Sequence, residues 1–302
     1  MLLATTTEDF APFTESHEER IRLLYEAGFR SIDLSLYDVI PGDPLFSDSF
    51  REAAESLADY ADGLGMRFVQ CHAPAVNCLR SEEDFSRALT LTARAIEICG
   101  ILSIPTLVTH VGFHPSLDEE GWRAGNLRFY RALMPAAKEN SVRVLAENSA
   151  HANLKGYYLY TGRACRRFAD GMNDPNFGIC WDTGHANMEG AQYDEILALG
   201  DALGAIHFHD NRGEKDEHLI PFLGTMSIDE VMHALIDVGF KGPFTFEATS
   251  SLRPPCYRMG DRRPYPGDTR MEKPTLAMQK AAERLLFITG EEILSAYGIL
   301  EK

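Results

Sequence analysis

Short apolar runs alternate along the chain with longer stretches of helical periodicity. Leu2-Leu3-Ala4 opens a first strand. From Glu18 to Ala27 (EERIRLLYEA), Ile21, Leu24 and Tyr25 share one helical face, and Gly28 stops the helix. Ser31 to Leu36 reads as a strand, Phe50 to Leu64 as a helix closed by Gly65, and Met66 to His72 (MRFVQCH) as a strand. A long helix over Glu82 to Cys99 is closed by Gly100, and the strand TLVTH follows at Thr106 to His110. The alternation continues with a helix over Glu119 to Glu139, a strand over Val142 to Glu147, a helix over Arg163 to Met172 and a strand over Gly178 to Asp182. Next come a helix over Tyr193 to Leu199, the strand AIHFH at Ala205 to His209 and a helix capped by Ser227 and running to Val238. The last unit is the strand PFTFE at Pro243 to Glu247, with a helix over Pro274 to Phe287.

Strict strand–helix alternation implies a parallel sheet. Eight units without a break predict an α/β fold of the closed (β/α)8 TIM-barrel type, with residues 1–302 as a single domain. An open doubly wound sheet is the rival, but it rarely needs eight uninterrupted repeats. One segment stands apart: residues 250–273 (SSLRPPCYRMGDRRPYPGDTRMEK) form a long Pro/Arg-rich loop after the eighth strand.

Composition narrows the function classes. Hydrophobic content of 45% and charged content of 25% are those of a soluble globular protein. The formal net charge of -16 disfavours a general nucleic-acid binder, because an acidic surface repels phosphate backbones. The six cysteines have no CxxC spacing and read as reduced thiols. There is no leader pattern at the N-terminus and no run near the ~18 to 20 apolar residues of a membrane span. These features predict a cytoplasmic protein with no membrane partner.

The ends of the strands carry the chemistry. Strand three ends at His72, strand four at His110, strand five at Glu147, strand six at Asp182 and strand eight at Glu247. Strand seven runs through His207 and His209, which lie two apart and so point to one face; periodicity does not choose between them. His185, Asp216 and His218 lie on the loops beyond. In a barrel these ends ring one mouth, where active sites of this fold lie. A lone His or Asp at a strand end is usually a cap, but six in succession need another account. Carboxylates packed together raise each other's pKa, and a divalent cation removes that cost. Three carboxylates and one imidazole suit Mn²⁺, Mg²⁺ or Co²⁺, and the nearby histidines admit Zn²⁺.

At these residues the sequence resembles the xylose-isomerase-like TIM barrels, which include sugar isomerases, ketose 3-epimerases and zinc-dependent apurinic-site endonucleases. LAEN at Glu147, CWDTGHAN at Asp182 and His185, IHFHDN at His207, DEHL at His218 and FTFE at Glu247 carry the resemblance over nearly the whole chain. In the epimerase branch it implies one ion held by Glu147, Asp182, His207 and Glu247, with His185 on the substrate. His207 is the implied ligand because Asp210 follows it by three. The endonuclease branch uses a three-zinc cluster, and His72, His110, Glu147, Asp182, His185, His207, Asp216, His218 and Glu247 are counterparts for all of it. Relatives form dimers or tetramers, so the resemblance also implies a homo-oligomer.

The expected activity is isomerisation or epimerisation of a sugar or sugar phosphate through an enediolate, with Glu147 and Glu247 as base and acid. The alternatives are an apurinic-site type phosphodiesterase using additional zinc, or a sugar-acid dehydratase on the same barrel. Arg253 and Arg258, with Arg262, Arg263 and Arg270, are candidates for anion binding, weighed against a role in offsetting acidic charge or joining subunits. Alternation turns Trp181 away from the ligands and into the core. Phe113 has better access to the mouth than Trp122, and Gly112 and Gly184 are assigned to tight turns. His151 and His233 have no partner pattern.

Overall fold

The computed structural model describes residues 1–151, 155–248, 251–252 and 274–301. Eight parallel strands close into a barrel in chain order, β8 pairing back onto β1. They are β1 (Leu3–Thr6), β2 (Ser31–Ser35), β3 (Arg67–His72), β4 (Thr106–His110), β5 (Arg143–Glu147), β6 (Phe177–Asp182), β7 (Leu203–Phe208) and β8 (Phe244–Phe246). The intervening helices are α1 (His17–Ala27), α2 (Phe50–Gly63), α3 (Glu82–Ile101), α4 (Glu119–Glu139), α5 (Gly162–Met172), α6 (Thr183–Asn187), α7 (Tyr193–Leu199), α8 (Ile228–Asp237) and α9 (Leu276–Ala296). Side chains cap most of them locally: Ser16, Ser81, Asp118, Thr161, Ser227 and Thr275 each accept a backbone N–H from three residues on. No helix among the described residues is long and apolar enough to cross a membrane.

Two layers of packing follow from the pleat. Outward-facing residues join the helices in the main core, where Trp181 is buried and donates its indole N–H to Gln192 Oε1 at 3.1 Å. Trp122 is buried as well, donating to the Gly112 carbonyl at 2.8 Å. Inside the barrel, Val108, Leu145, Cys180 and Ala205 form a separate small apolar plug. Each lies two residues before His110, Glu147, Asp182 or His207, so those four also point inward, one layer nearer the C-terminal mouth.

Several boundaries differ from the sequence reading. The strand β7 ends at Phe208, which leaves His209 just beyond it. His185 stands on the short helix α6 rather than on a loop. The helix α3 continues one residue past Gly100, where closeness to the Asn140 side chain requires a glycine. The helix α9 runs to Ala296, well beyond Phe287. Thr289-Gly290 interrupts the pattern, but a Cβ at Gly290 would lie 2.5 Å from Leu3 Cδ1, so the glycine lets α9 press on β1 and β8. Cys71, Cys78, Cys99, Cys165 and Cys180 are free, buried thiols. Arg253, Arg258, Arg262, Arg263, Arg270 and Cys256 lie outside the described residues.

Candidate functional site

Glu147 stands at the centre of the mouth. Its Oε1 lies 2.9 Å from His207 Nδ1, and its Oε2 lies 3.0 Å from His110 Nε2 and 3.4 Å from His72 Nε2. Glu247 enters from the end of β8, 3.4 Å from His207 Nδ1. Asp182 caps α6, its Oδ1 accepting the His185 backbone N–H, while its Oδ2 lies 3.0 Å from His209 Nε2. Asp216 faces His185 Nε2 at 3.3 Å and His218 Nε2 at 3.0 Å.

Among the described residues five overlapping sets of donor atoms result, each within 4.8 Å of one another: Glu147, Asp182, His207 and Glu247; His72, His110 and Glu147; His185, Asp216 and His218; His72, His207 and Glu247; and His209, His218 and Glu247. All nine residues singled out in the sequence as ligands or substrate contacts thus meet in one cluster. Both strand-seven histidines are present. His207 faces Glu147 and Glu247, and His209 stacks on His218 with ring centroids 3.9 Å apart and faces Asp182.

Backbone carbonyls orient two of the imidazoles. His72 donates Nδ1–H to Ala73 O at 2.9 Å, and His218 donates Nδ1–H to Glu247 O at 2.7 Å. Each then turns Nε2 towards a carboxylate. His218 adopts φ 49, a left-handed conformation uncommon outside glycine. Its loop is fixed by Asp210, whose carboxylate accepts the N–H groups of Asn211, Phe222, Gly224 and Met226 at 2.8–3.1 Å.

The electrostatics favour a cation. Burial, and then the charges of Glu147 and Asp182, push the Glu247 carboxyl well above the usual range. Burial also opposes ionisation of Glu147, but His207 and His110 outweigh it and hold the carboxyl well below its usual value. Buried His185 Nδ1 has no hydrogen-bond partner and lies 3.4 Å from Asp182 Oδ1. Inward ring nitrogens, clustered carboxylates and an unpartnered ring nitrogen form groups that could hold a divalent metal ion.

The sequence reading missed the residues that hold these ligands. Asp33 on β2 and Gln70 on β3 are buried beneath the cluster, and Gln70 Nε2 lies 2.8 Å from His207 Nε2. Tyr37 meets the rings of His72 and His110 edge-on, and Tyr157 donates its hydroxyl to Glu147 O at 2.7 Å. The single carboxylate in the run SIDLS and the single amide in FVQCH were the available signal for the first two. The two glycines act through space rather than through turns. A Cβ at Gly184 would lie 1.9 Å from His209 Cε1, and one at Gly112 would lie 2.7 Å from Cys78 Sγ. Phe113 is half-buried, 6.5 Å from the Tyr157 ring. His233 sits 3.5 Å from Asp229 on the surface, and His151 packs near Tyr160.

Residues 21–269 match the family described as xylose isomerase-like TIM barrel. A ketose 3-epimerase of Arthrobacter globiformis is 36% identical over 244 residues, 75% of each chain. A probable endonuclease 4 of Methanoculleus marisnigri is 30% identical over 216 residues, covering 64% of this chain and 72% of its own. Among solved structures, the IOLI protein with a binding zinc atom superposes with a TM-score of 0.77 at 16% identity, over 98% of this chain and 99% of that one. Other matches are shorter: the chain spans 55% of an uncharacterised protein of Sinorhizobium fredii and 54% of one of Methanocaldococcus jannaschii. With that match over most of its length and its closed parallel barrel, the chain belongs to the xylose isomerase-like TIM barrel family.

Proposed function

We propose that this chain is a divalent-metal-dependent isomerase or epimerase acting on a sugar or sugar phosphate, by proton transfer at a carbon next to a carbonyl. The observation that carries the reading is the convergence of Glu147 and Glu247 on one point from non-adjacent strands, with Asp182 and His207 beside them. The 36% identity to a ketose 3-epimerase supports it. Glu147, Asp182, His207 and Glu247 would hold the ion, which supplies polarisation of the substrate carbonyl when bound. Glu147 and Glu247 serve as base and acid: one carboxylate takes the proton from carbon and the other returns one. Return to the opposite face of the same carbon gives epimerisation, and return to the neighbouring carbon, with a proton also moved between the two oxygens, gives aldose–ketose isomerisation. His185 holds a substrate hydroxyl. His110, with its side chain 37% exposed, meets substrate from the open side of the mouth.

A second reading is favoured by a specific observation. The groups His72, His110, Glu147 and His185, Asp216, His218 flank the first, as a three-zinc phosphodiesterase of the apurinic-site type would need. The 30% identity to a probable endonuclease 4 supports it. Against it stands a net charge of -16, since a duplex binder neutralises phosphates with Lys and Arg.

The test is incubation of the Mn²⁺-loaded protein in deuterium oxide with a panel of ketoses and ketose phosphates. The expected result is deuterium on the carbon next to the carbonyl, abolished by chelator. Cleavage of abasic DNA by the zinc-loaded protein, without exchange on any sugar of the panel, would decide for the second reading.

A further inference from the structure

We propose that Gln70 is a positioning residue for His207, and that its side-chain amide selects the imidazole tautomer able to hold a cation. The inference rests on His207 being a ligand, as proposed above. Gln70 lies on β3 two residues before His72, so both point into the barrel. Asp33 on β2 is its partner in register. Both side chains are buried, in the layer below the carboxylate cluster.

His207 is turned the other way round from His72 and His218. Those two give Nδ1–H to carbonyls and present Nε2. His207 presents Nδ1 to Glu147 and Glu247, so whatever faces its Nε2 decides which nitrogen carries the proton. That neighbour is the Gln70 amide, 2.8 Å away. An amide can serve either tautomer, because half a turn about its last bond exchanges a donor for an acceptor. With Nε2 of Gln70 towards the ring, the amide donates and His207 carries its proton on Nδ1, shared with Glu147. Gln70 Oε1 and Asp33 Oδ1 are then without partners, as found. With the amide turned, Oε1 accepts the proton of His207 Nε2 and the Nδ1 lone pair faces Glu147, Asp182 and Glu247. Asp33 can follow the turn. Burial pushes its carboxyl above the usual range, and a protonated carboxyl donates to Oε1 where an ionised one accepts from the amide.

The test has two arms, neither of which reads activity. The first is the ¹⁵N spectrum of His207 in the parent protein, with and without Zn²⁺. The second is Zn²⁺ affinity, by competition with a chelator, for the parent and for Gln70→Leu, with melting temperatures beside each. The expected result is a proton on Nε2 and a metal-shifted Nδ1 in the zinc form, with zinc held about 10- to 100-fold more weakly by Q70L. Zinc on His207 with Nδ1 protonated, or a folded Q70L that binds zinc as tightly as the parent, overturns the proposal. If Q70L does not fold, the parent spectrum decides alone. If zinc leaves both His207 nitrogens unshifted, the ligand assignment fails and the proposal falls with it, a different outcome from zinc bound to His207 with Gln70 irrelevant.

Discussion

Asn148 and Asp182 bind each other twice where β5 and β6 end: the Asp182 backbone N–H donates to Asn148 Oδ1 at 2.6 Å, and Asn148 Nδ2 donates to the Asp182 carbonyl at 3.0 Å. The amide thus continues the ladder between the two strands and fixes the backbone that aims the Asp182 carboxylate. Asn148→Ala leaves the buried Asp182 N–H unpaired and takes one of the donors from its carbonyl, which α6 also uses. We expect a loss of about 3 kcal/mol in urea unfolding, together with weaker metal binding. Unchanged stability would show that the loop closes over the gap.

Gly184 has a neighbour it cannot share with a side chain. Its α6 backbone lies against the His209 ring, where a methyl group would sit 1.9 Å from Cε1. Gly184→Ala should displace His209 from Asp182 and from its stack on His218. The expected cost is about 1–3 kcal/mol by thermal or urea unfolding. Zinc content should fall with it if the His185, Asp216 and His218 group is occupied.

The ion-free protein should be most stable in mildly acidic solution. Burial alone would lower His72, but Glu147 outweighs it and pushes the ring up to about 9. His185 is likewise pushed up to about 10, with Asp182 and Asp216 outweighing burial. These rings keep protons in the folded state that the unfolded chain loses near pH ~6.5. Their stabilisation is complete below that pH and disappears as pH rises through about 9 to 10. Glu147 and Asp216, held below their usual range, act oppositely, and their contribution is lost only as acid protonates them. Urea midpoints of the chelator-treated protein should therefore fall between pH 6.5 and 10, and a flat profile over that range would contradict the assignment. Metal affinity should rise over the same interval, because a cation displaces these protons.

The two glutamates should be separable from simple binding. Glu147→Gln and Glu247→Gln keep one oxygen donor each but remove the group that exchanges a proton with carbon. Deuterium uptake by a competent ketose should fall about 10²- to 10⁴-fold in each, with sugar affinity changing far less. Exchange at the parental rate in either variant would remove that residue from the proton-transfer step.

The strand-end residues were legible because each is the last inward position of a short apolar run, and a parallel barrel collects such ends at one mouth. Resemblance chose His207 over His209 for the ion, and the structure brings both into the cluster, one against Glu147 and the other against Asp182. What stayed hidden depends on pairing across the barrel. Gln70 and His207 are 137 residues apart, and nothing in the run FVQCH says which strand its glutamine faces. Gly184 looked like a turn residue because crowding by His209, which lies beyond the next strand, leaves no local mark. The last helix was read only to Phe287, whereas α9 runs to Ala296 through Gly290, a glycine that answers to Leu3 and Phe246 and not to its own helix.

The most direct test is an anomalous diffraction map from crystals soaked in Mn²⁺. One dominant peak bounded by Glu147, Asp182, His207 and Glu247 is expected. Density confined to the His185, Asp216 and His218 group, with none among those four, would contradict it.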